Sequence, residues 1–172
     1  MRAVASRDST PLVFTLRCTA KLLKRLETRP NPSPPSSTTR LGDWYANLLY
    51  VHRRPLFLCV SEVTLLPVVV GARGSEQLAT RLAASLGEVL TALGVSEAAI
   101  REEQAAMSQI TIAATANRTV LGSMNDFQRM LPADWDPPEA LPNAALRLSE
   151  APCGPLKMAS PRDVAVARLS GQ

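Results

Sequence analysis

The chain has 172 residues, of which 46% are hydrophobic and 4% aromatic. This is enough for one domain whose core is built mainly from Leu, Val and Ala. Three widely spaced cysteines and a single histidine argue against a disulfide framework and a structural zinc site, so we expect no cofactor and no metal. No apolar run reaches the ~18 residues that a membrane helix needs, and no signal peptide is recognisable, so we expect a cytoplasmic protein with no membrane partner.

The net charge of +4 is unevenly distributed. Residues 1–54 contain ten Lys/Arg and three Asp/Glu, whereas residues 55–172 contain nine and twelve. A basic N-terminal half suits nucleic acid or another anionic partner, although it equally suits ordinary solubilising charge. No dense basic run with interleaved aromatic residues is present, so the partner stays open between a protein and a nucleic acid.

The N-terminal half predicts a strand, a short helix and a meander. Residues 1–11 are expected to be a disordered extension. Alternation over residues 12–18 predicts a first strand, followed by a helix with Thr19 as N-cap. Residues 28–39 carry four prolines and predict a mobile, dispensable loop. Apolar runs at 44–52, 56–60 and 64–70 predict an antiparallel hairpin and a third strand. Arg53 and Arg54 at the hairpin tip are candidate anion contacts, although most exposed arginines at such tips have no specific partner.

Two helices are predicted next, one beginning after Ser75 and ending before Gly94, and one capped by Ser96. The loop at Arg73, Gly74 and Ser75 follows a strand and precedes a helix. Its glycine spacing matches neither a P-loop nor a dinucleotide-binding loop, so a plain capped connection is favoured over a phosphate contact.

Residues 108–131 form the most polar strand–helix unit of the chain. Alternating Ile110, Ile112 and Ala114 predict a strand, and the later apolar stripe predicts a helix with Thr119 as N-cap. Free amides at such a junction can bind an anion, but we expect Asn117 to shape the turn and Arg118 to bridge the junction structurally.

Together these elements predict an α+β fold with a mainly antiparallel sheet of four to five strands and helices packed on one face. The core domain spans residues 12–131. Residues 132–172 are expected to be an extended Pro-rich tail packed on it, with a brief strand at 146–148 and residues 163–169 either forming a last short helix or fraying. The predicted core comprises Leu16, Leu22, Leu48, Phe57, Val69, Leu82, Leu86, Leu90, Ile112 and Phe127.

Three segments resemble a bacterial family of domains of unknown function: the opening Cys18-Thr19-x-Lys21-Leu22-Leu23, the run 44–49 leading into Arg53-Arg54, and Thr115-x-Asn117-Arg118-Thr119 with Met124-Asn125. Members of that family are single small proteins or are joined to plasmid-borne open-reading-frame domains. The resemblance implies no activity. The Pro-rich loop at 28–39 departs from the family pattern.

No complete catalytic signature is present, so whether the protein is an enzyme stays open. We expect a non-enzymatic interaction or regulatory module. The alternative is a small protein that acts on nucleic acid or a phosphate ligand through a polar cleft around Arg118, Asn125 and Asp126. The candidate ligand-binding residues are Lys21, Trp44, Asn47, Arg53, Arg118, Asn125 and Asp126, with no catalytic residue among them.

Overall fold

The computed structural model of the protein describes residues 11–73, 78–131 and 141–171. Five strands form one sheet in the spatial order β4-β3-β2-β1-β5. The strands are β1 (Val13–Cys18), β2 (Trp44–Val51), β3 (Arg54–Ser61), β4 (Pro67–Gly71) and β5 (Gln109–Ala114).

The sheet is mixed, so the prediction of a mainly antiparallel sheet is wrong. The meander β2-β3-β4 is antiparallel as predicted, but β1 pairs in parallel with both β2 and β5. Parallel neighbours need a long crossover connection. The helix and Pro-rich segment after β1 provide one, and the two helices before β5 provide the other. The sequence pattern identifies the strands but not these pairings.

Six α-helices accompany the sheet in the described ranges: α1 (Ala20–Leu26), α2 (Leu78–Ala92), α3 (Glu97–Ala106), α4 (Arg118–Met130), α5 (Leu141–Ser149) and α6 (Pro161–Leu169). A short 3-10 helix covers Gly154–Leu156. In those ranges, no helix is long and apolar enough to cross a membrane.

The C-terminal region corrects the prediction of an extended tail. Most of residues 141–169 are helical, and the strand predicted at 146–148 lies inside α5 instead. Pro142 and Pro161 stand in the first turns of α5 and α6, where a helix needs no backbone N–H from them. These prolines therefore mark helix starts. The last helix predicted at 163–169 is confirmed as part of α6.

Nine of the ten predicted core residues are buried. Ile112 is only half-buried because β5 is an edge strand. The largest fully buried side chains include Trp44, Tyr45 and Phe14, which lie on the two central parallel strands.

The N-caps of the described helices agree with the predicted ones, with one exception. Thr19 and Ser96 are confirmed as N-caps of α1 and α3. Thr119 is not a cap, because α4 begins earlier and Asn117 fills that position. Ser75, the expected N-cap of α2, lies outside the described residues.

The Pro-rich segment 28–39 is fixed to the sheet. The Asn31 N–H donates to the Ile112 carbonyl of β5 (2.8 Å), and the Thr38 N–H donates to the Val13 carbonyl of β1 (2.8 Å). β1 pairs with β2 only from Leu16 onward, so the segment satisfies backbone groups of the earlier half of β1. These contacts contradict the expectation of a loop free of the sheet, whereas its dispensability stays a prediction.

Candidate functional site

The seven predicted site residues lie on several different elements. Trp44 is fully buried, and its indole Nε1 has no hydrogen-bond partner among the described residues. Asn47 is half-buried, and its Oδ1 accepts a hydrogen bond from the Thr19 hydroxyl (2.8 Å). The Lys21 ammonium lies 4.9 Å from the centroid of the Tyr50 ring. Trp44 and Asn47 therefore have surroundings typical of structural residues, whereas Lys21 is on the surface.

The other predicted residues on α4 form an exposed helix surface. Arg118, Asn125 and Asp126 are all exposed, and Asp126 forms an ion pair with Arg129 (3.4 Å). At the start of the helix the Asn117 side chain accepts hydrogen bonds from the first-turn amides of Thr119 (2.9 Å) and Val120 (3.4 Å). Amides that could have bound an anion are thus already bound by the protein itself.

Arg118 is the first residue of α4, and its side chain forms no hydrogen bond or ion pair with any described residue. We therefore expect Arg118→Lys to change the free energy of unfolding by less than about 0.5 kcal/mol, the usual range for a surface substitution. Urea denaturation measures this.

Arg17→Lys is the matched control for that substitution. The Arg17 Nε donates to Asp43 Oδ2 (2.7 Å), so losing the guanidinium is expected to cost about 1–2 kcal/mol. An equal loss in both variants would show that Arg118 bridges the junction after all.

A polar network that sequence reasoning missed joins the ends of β1 and β5 to the start of β2. Asp43 accepts from Arg17 and from the Ser37 hydroxyl (2.6 Å), and the Arg17 Nη1 donates to the Ala114 carbonyl (3.2 Å). Arg17 is the one charged residue of the mostly apolar strand β1, and this position is a sequence signal for the network.

A second part of the network connects β2 to the start of α4. The Tyr45 hydroxyl donates to Glu62 Oε1 (3.3 Å) and accepts from the Asn117 N–H (3.2 Å). Burial and the nearby Glu62 carboxylate raise the pKa of Tyr45 to about 12, so the phenol stays neutral at physiological pH. Because these groups bind one another, the arrangement is typical of a structural latch between strands.

A cavity of about 930 Å³ opens beside the β2–β3 turn, β4, α2 and the start of α5. Its apolar lining residues are Pro55, Leu56, Val69, Val70, Ala72, Ala84, Val89, Leu141 and Pro142. In the described part of the lining, four arginines and one glutamate add charge: Arg53, Arg54, Arg73, Arg81 and Glu88. The described lining residues therefore combine an apolar wall with an excess of positive charge.

The Arg81 guanidinium is held in place beside the sheet. Its Nη1 donates to the Arg73 carbonyl. A Cβ at Gly71 would lie 3.3 Å from its Nη2, which is tight for such a contact. The missing side chain at Gly71 thus lets the guanidinium approach β4 closely. Arg53 is the only one of the seven predicted residues that lines this cavity.

The chain matches the family described as Domain of unknown function (DUF6933) over residues 15–164. The chain belongs to this family. The resemblance to an uncharacterised domain family is thereby confirmed. No curated protein and no solved structure matches the chain. The match to the DUF6933 domain includes the whole charged lining of the cavity and all residues of the polar network.

The DUF6933 domain offers no obvious metal centre in the ranges that the structure describes. No group of three or more His, Cys, Asp or Glu side chains there could hold a metal ion. The three cysteines are free and buried, and burial raises the pKa of the Cys18 thiol to about 12, so it is not a reactive thiolate. The arginine-lined cavity is therefore the candidate functional site.

Proposed function

We propose that this domain is a non-enzymatic binding module for a small anionic ligand that also carries an apolar group. The cavity beside the β2–β3 turn holds the ligand. Its volume lies within the range usual for small-molecule sites, ~300–1,000 Å³. The apolar wall suits the body of the ligand, and the arginines suit a carboxylate or a phosphate.

The main support for the proposal comes from the guanidinium groups of Arg53 and Arg73. Both line the cavity, and neither guanidinium has a hydrogen-bond or ion-pair partner among the described residues. A guanidinium presents donors in a planar fork that matches carboxylate and phosphate oxygens. Two such groups at the edge of one apolar cavity favour an anion over a neutral ligand.

The lining favours binding over catalysis. Within its described part, Ser85 and Glu88 are the side chains that could act as nucleophile and general base, and no hydrogen bond joins them. A nucleophile needs an adjacent base that activates it. The alternative cleft around Arg118, Asn125 and Asp126 has less support, since these residues lie exposed along one helix. A bacterial origin, a cytoplasmic location and fusion to plasmid-borne domains stay predictions.

Calorimetric titration tests the proposal with two pairs of probes: adenosine 5′-monophosphate against adenosine, and decanoate against decanol. We expect at least one anion to bind and its neutral counterpart to bind at least about 10-fold more weakly, because charged hydrogen bonds are each worth ~1.5–3 kcal/mol. The two anions distinguish a phosphate ligand from a carboxylate ligand.

The double variant Arg53→Ala/Arg73→Ala should lower the affinity for that anion by about 100-fold, or about 10-fold for each arginine. The double variant Arg101→Ala/Arg129→Ala removes the same charge from exposed positions on α3 and α4 and should leave binding unchanged. Equal binding of charged and neutral probes, no binding of any probe, or equal losses in both variants would contradict the proposal.

A further inference from the structure

The turn between β2 and β3 carries backbone strain. His52 and Arg53 adopt φ angles of 47° and 64°, both in the left-handed region. A two-residue hairpin with positive φ at both positions strongly favours Asn-Gly or similar pairs. Residues held in such sparsely populated conformations concentrate at binding sites. The chain thus carries a guanidinium at the edge of the cavity despite a conformational cost, with the imidazole of His52 next to it in the turn.

The surface next to this turn presents an aromatic ring and a cation. Tyr50 is 54% exposed, and the Lys21 ammonium of α1 lies 4.9 Å from its ring centroid. Tyr50 pairs with Pro55 across the hairpin, and Pro55 lines the cavity. Tyr50 on β2 therefore lies one strand spacing from Pro55 on β3, which is at the edge of the cavity. Because directly paired residues share a face of the sheet, Tyr50 lies on the same face as Pro55, and a ligand in the cavity can reach Tyr50 along the hairpin end.

The charge along this path is mostly positive, although Glu88 adds one negative charge to the cavity lining. Lys21, Lys24 and Arg25 are exposed on α1, and Arg53 and Arg54 follow at the turn. The acidic residues in the same stretch are Glu27, which is exposed, and Asp43, which is paired with Arg17. A basic track with an exposed aromatic side chain is the combination that single-stranded nucleic acids bind, through their phosphates and through base stacking.

We propose that the cavity is one end of a binding track for single-stranded nucleic acid. One nucleotide occupies the cavity, the backbone passes round the turn at His52 and Arg53, and a following base stacks on Tyr50 beside Lys21. This inference rests on the proposed function, since the cavity supplies the first nucleotide position. It extends the ligand from one small anion in the cavity to a nucleic acid of which that anion is a single nucleotide.

Fluorescence anisotropy with labelled oligothymidylate of twelve nucleotides tests the track, with thymidine 5′-monophosphate as a competitor that reaches the cavity alone. The oligonucleotide should bind at least about 10-fold more tightly than the mononucleotide, as each stacked base adds ~1–3 kcal/mol. The variant Lys21→Gln/Tyr50→Thr should weaken oligonucleotide binding at least about 10-fold and leave mononucleotide binding unchanged. The slope of log affinity against log salt should also fall by about 0.7 for the one lost phosphate contact.

The exposed variant Arg129→Gln is the charge-matched control and should not change binding. The turn variant His52→Asn/Arg53→Gly should raise the melting temperature by relieving the strain, and weaken oligonucleotide binding. If the oligonucleotide binds no more tightly than the mononucleotide, or if a poly-glutamate peptide of equal charge competes equally well, the nucleic-acid track is wrong while the cavity site stands. If no nucleotide of either length binds, the track is wrong, and the decanoate titration alone decides whether the cavity site stands.

Discussion

Replacing Glu103 by alanine is expected to lower the free energy of unfolding by about 3 kcal/mol, the scale of losing a buried charged acceptor. Glu103 lies on α3 and is 1% exposed. Its Oε2 accepts from the Arg40 N–H (2.8 Å) and its Oε1 from the Leu41 N–H (3.0 Å). Alanine would leave both amides unpaired at the entrance to β2.

The same contact also connects to the last helix. The Arg40 guanidinium donates to the carbonyls of Arg168 (2.6 Å) and Leu169 (2.9 Å) at the C-terminal end of α6. Because Glu103 fixes the Arg40 backbone, its loss should loosen α6 as well. Urea denaturation measures the total effect, and hydrogen exchange of the α6 amides measures the local one. Glu102→Ala, on the exposed side of α3, should change stability by less than about 0.5 kcal/mol, and an equal loss there would contradict the role of Glu103.

The pH dependence of stability gives a second readout for Glu103. Burial raises the pKa of Glu103 above its ordinary value of 4.5, against the opposing influence of its backbone hydrogen bonds, Arg40 and Arg168. The folded protein therefore binds more protons than the unfolded chain between pH 4.5 and the raised pKa, so this group makes folding less favourable as the pH rises through that interval. Glu103→Gln does not titrate there. The free energy of unfolding of the wild type, minus that of Glu103→Gln, should fall as the pH rises from about 4.5. A difference that stays constant or rises would show that burial does not dominate the pKa of Glu103.

The double variant Ser37→Ala/Thr38→Val should lower the free energy of unfolding by about 3 kcal/mol. It removes four hydrogen bonds worth ~1 kcal/mol each, and water that binds the freed groups recovers part of that loss. The Ser37 hydroxyl accepts from the Thr15 N–H (2.9 Å) and donates to Asp43 (2.6 Å). The Thr38 hydroxyl accepts from the Val13 N–H (3.0 Å) and donates to the Val13 carbonyl (2.9 Å). Thermal and urea denaturation check the loss.

Ser33→Ala/Ser36→Ala is the control within the same segment. Both serines are exposed, and neither hydroxyl has a hydrogen-bond partner among the described residues. We expect a change of less than about 0.5 kcal/mol. If the two double variants behave alike, the Pro-rich segment is a passive connection, as its composition alone predicts.

The strands, most caps and the core were predictable because each depends on local patterns. Alternation and helical stripes depend on neighbours a few positions away, so Phe57, Leu82 and Phe127 were correctly placed in the core. The parallel pairing of β1 was not predictable, since it depends on which distant strand lies beside it. The apolar stripe that begins at Val120 predicts Thr119 as N-cap, but the helix already begins at Arg118, and Asn117 caps it.

The candidate site was predictable only in part, for the same reason. Arg53 was singled out because a basic pair stands at a hairpin tip, which is a local signal. Arg81 and Leu141 come from α2 and α5, and no sequence pattern shows that they share a cavity with that tip. The polar cleft on α4 was predicted only from the density of polar residues in that segment. Density does not distinguish a cleft from a solvated helix surface.

The position of β5 has a consequence for the order in which the protein can fold during synthesis. Val13 on β1 pairs with Gln109 on β5, and Asn31 also donates to β5 through Ile112. Until the ribosome has released β5, a nascent chain that already contains β1 to β4 leaves one side of β1 as an unpaired strand edge. Such edges pair readily with other chains, and contacts between residues so distant in sequence form slowly. The growing chain should therefore be most vulnerable to aggregation, and most dependent on chaperones, in the interval between synthesis of β4 and release of β5.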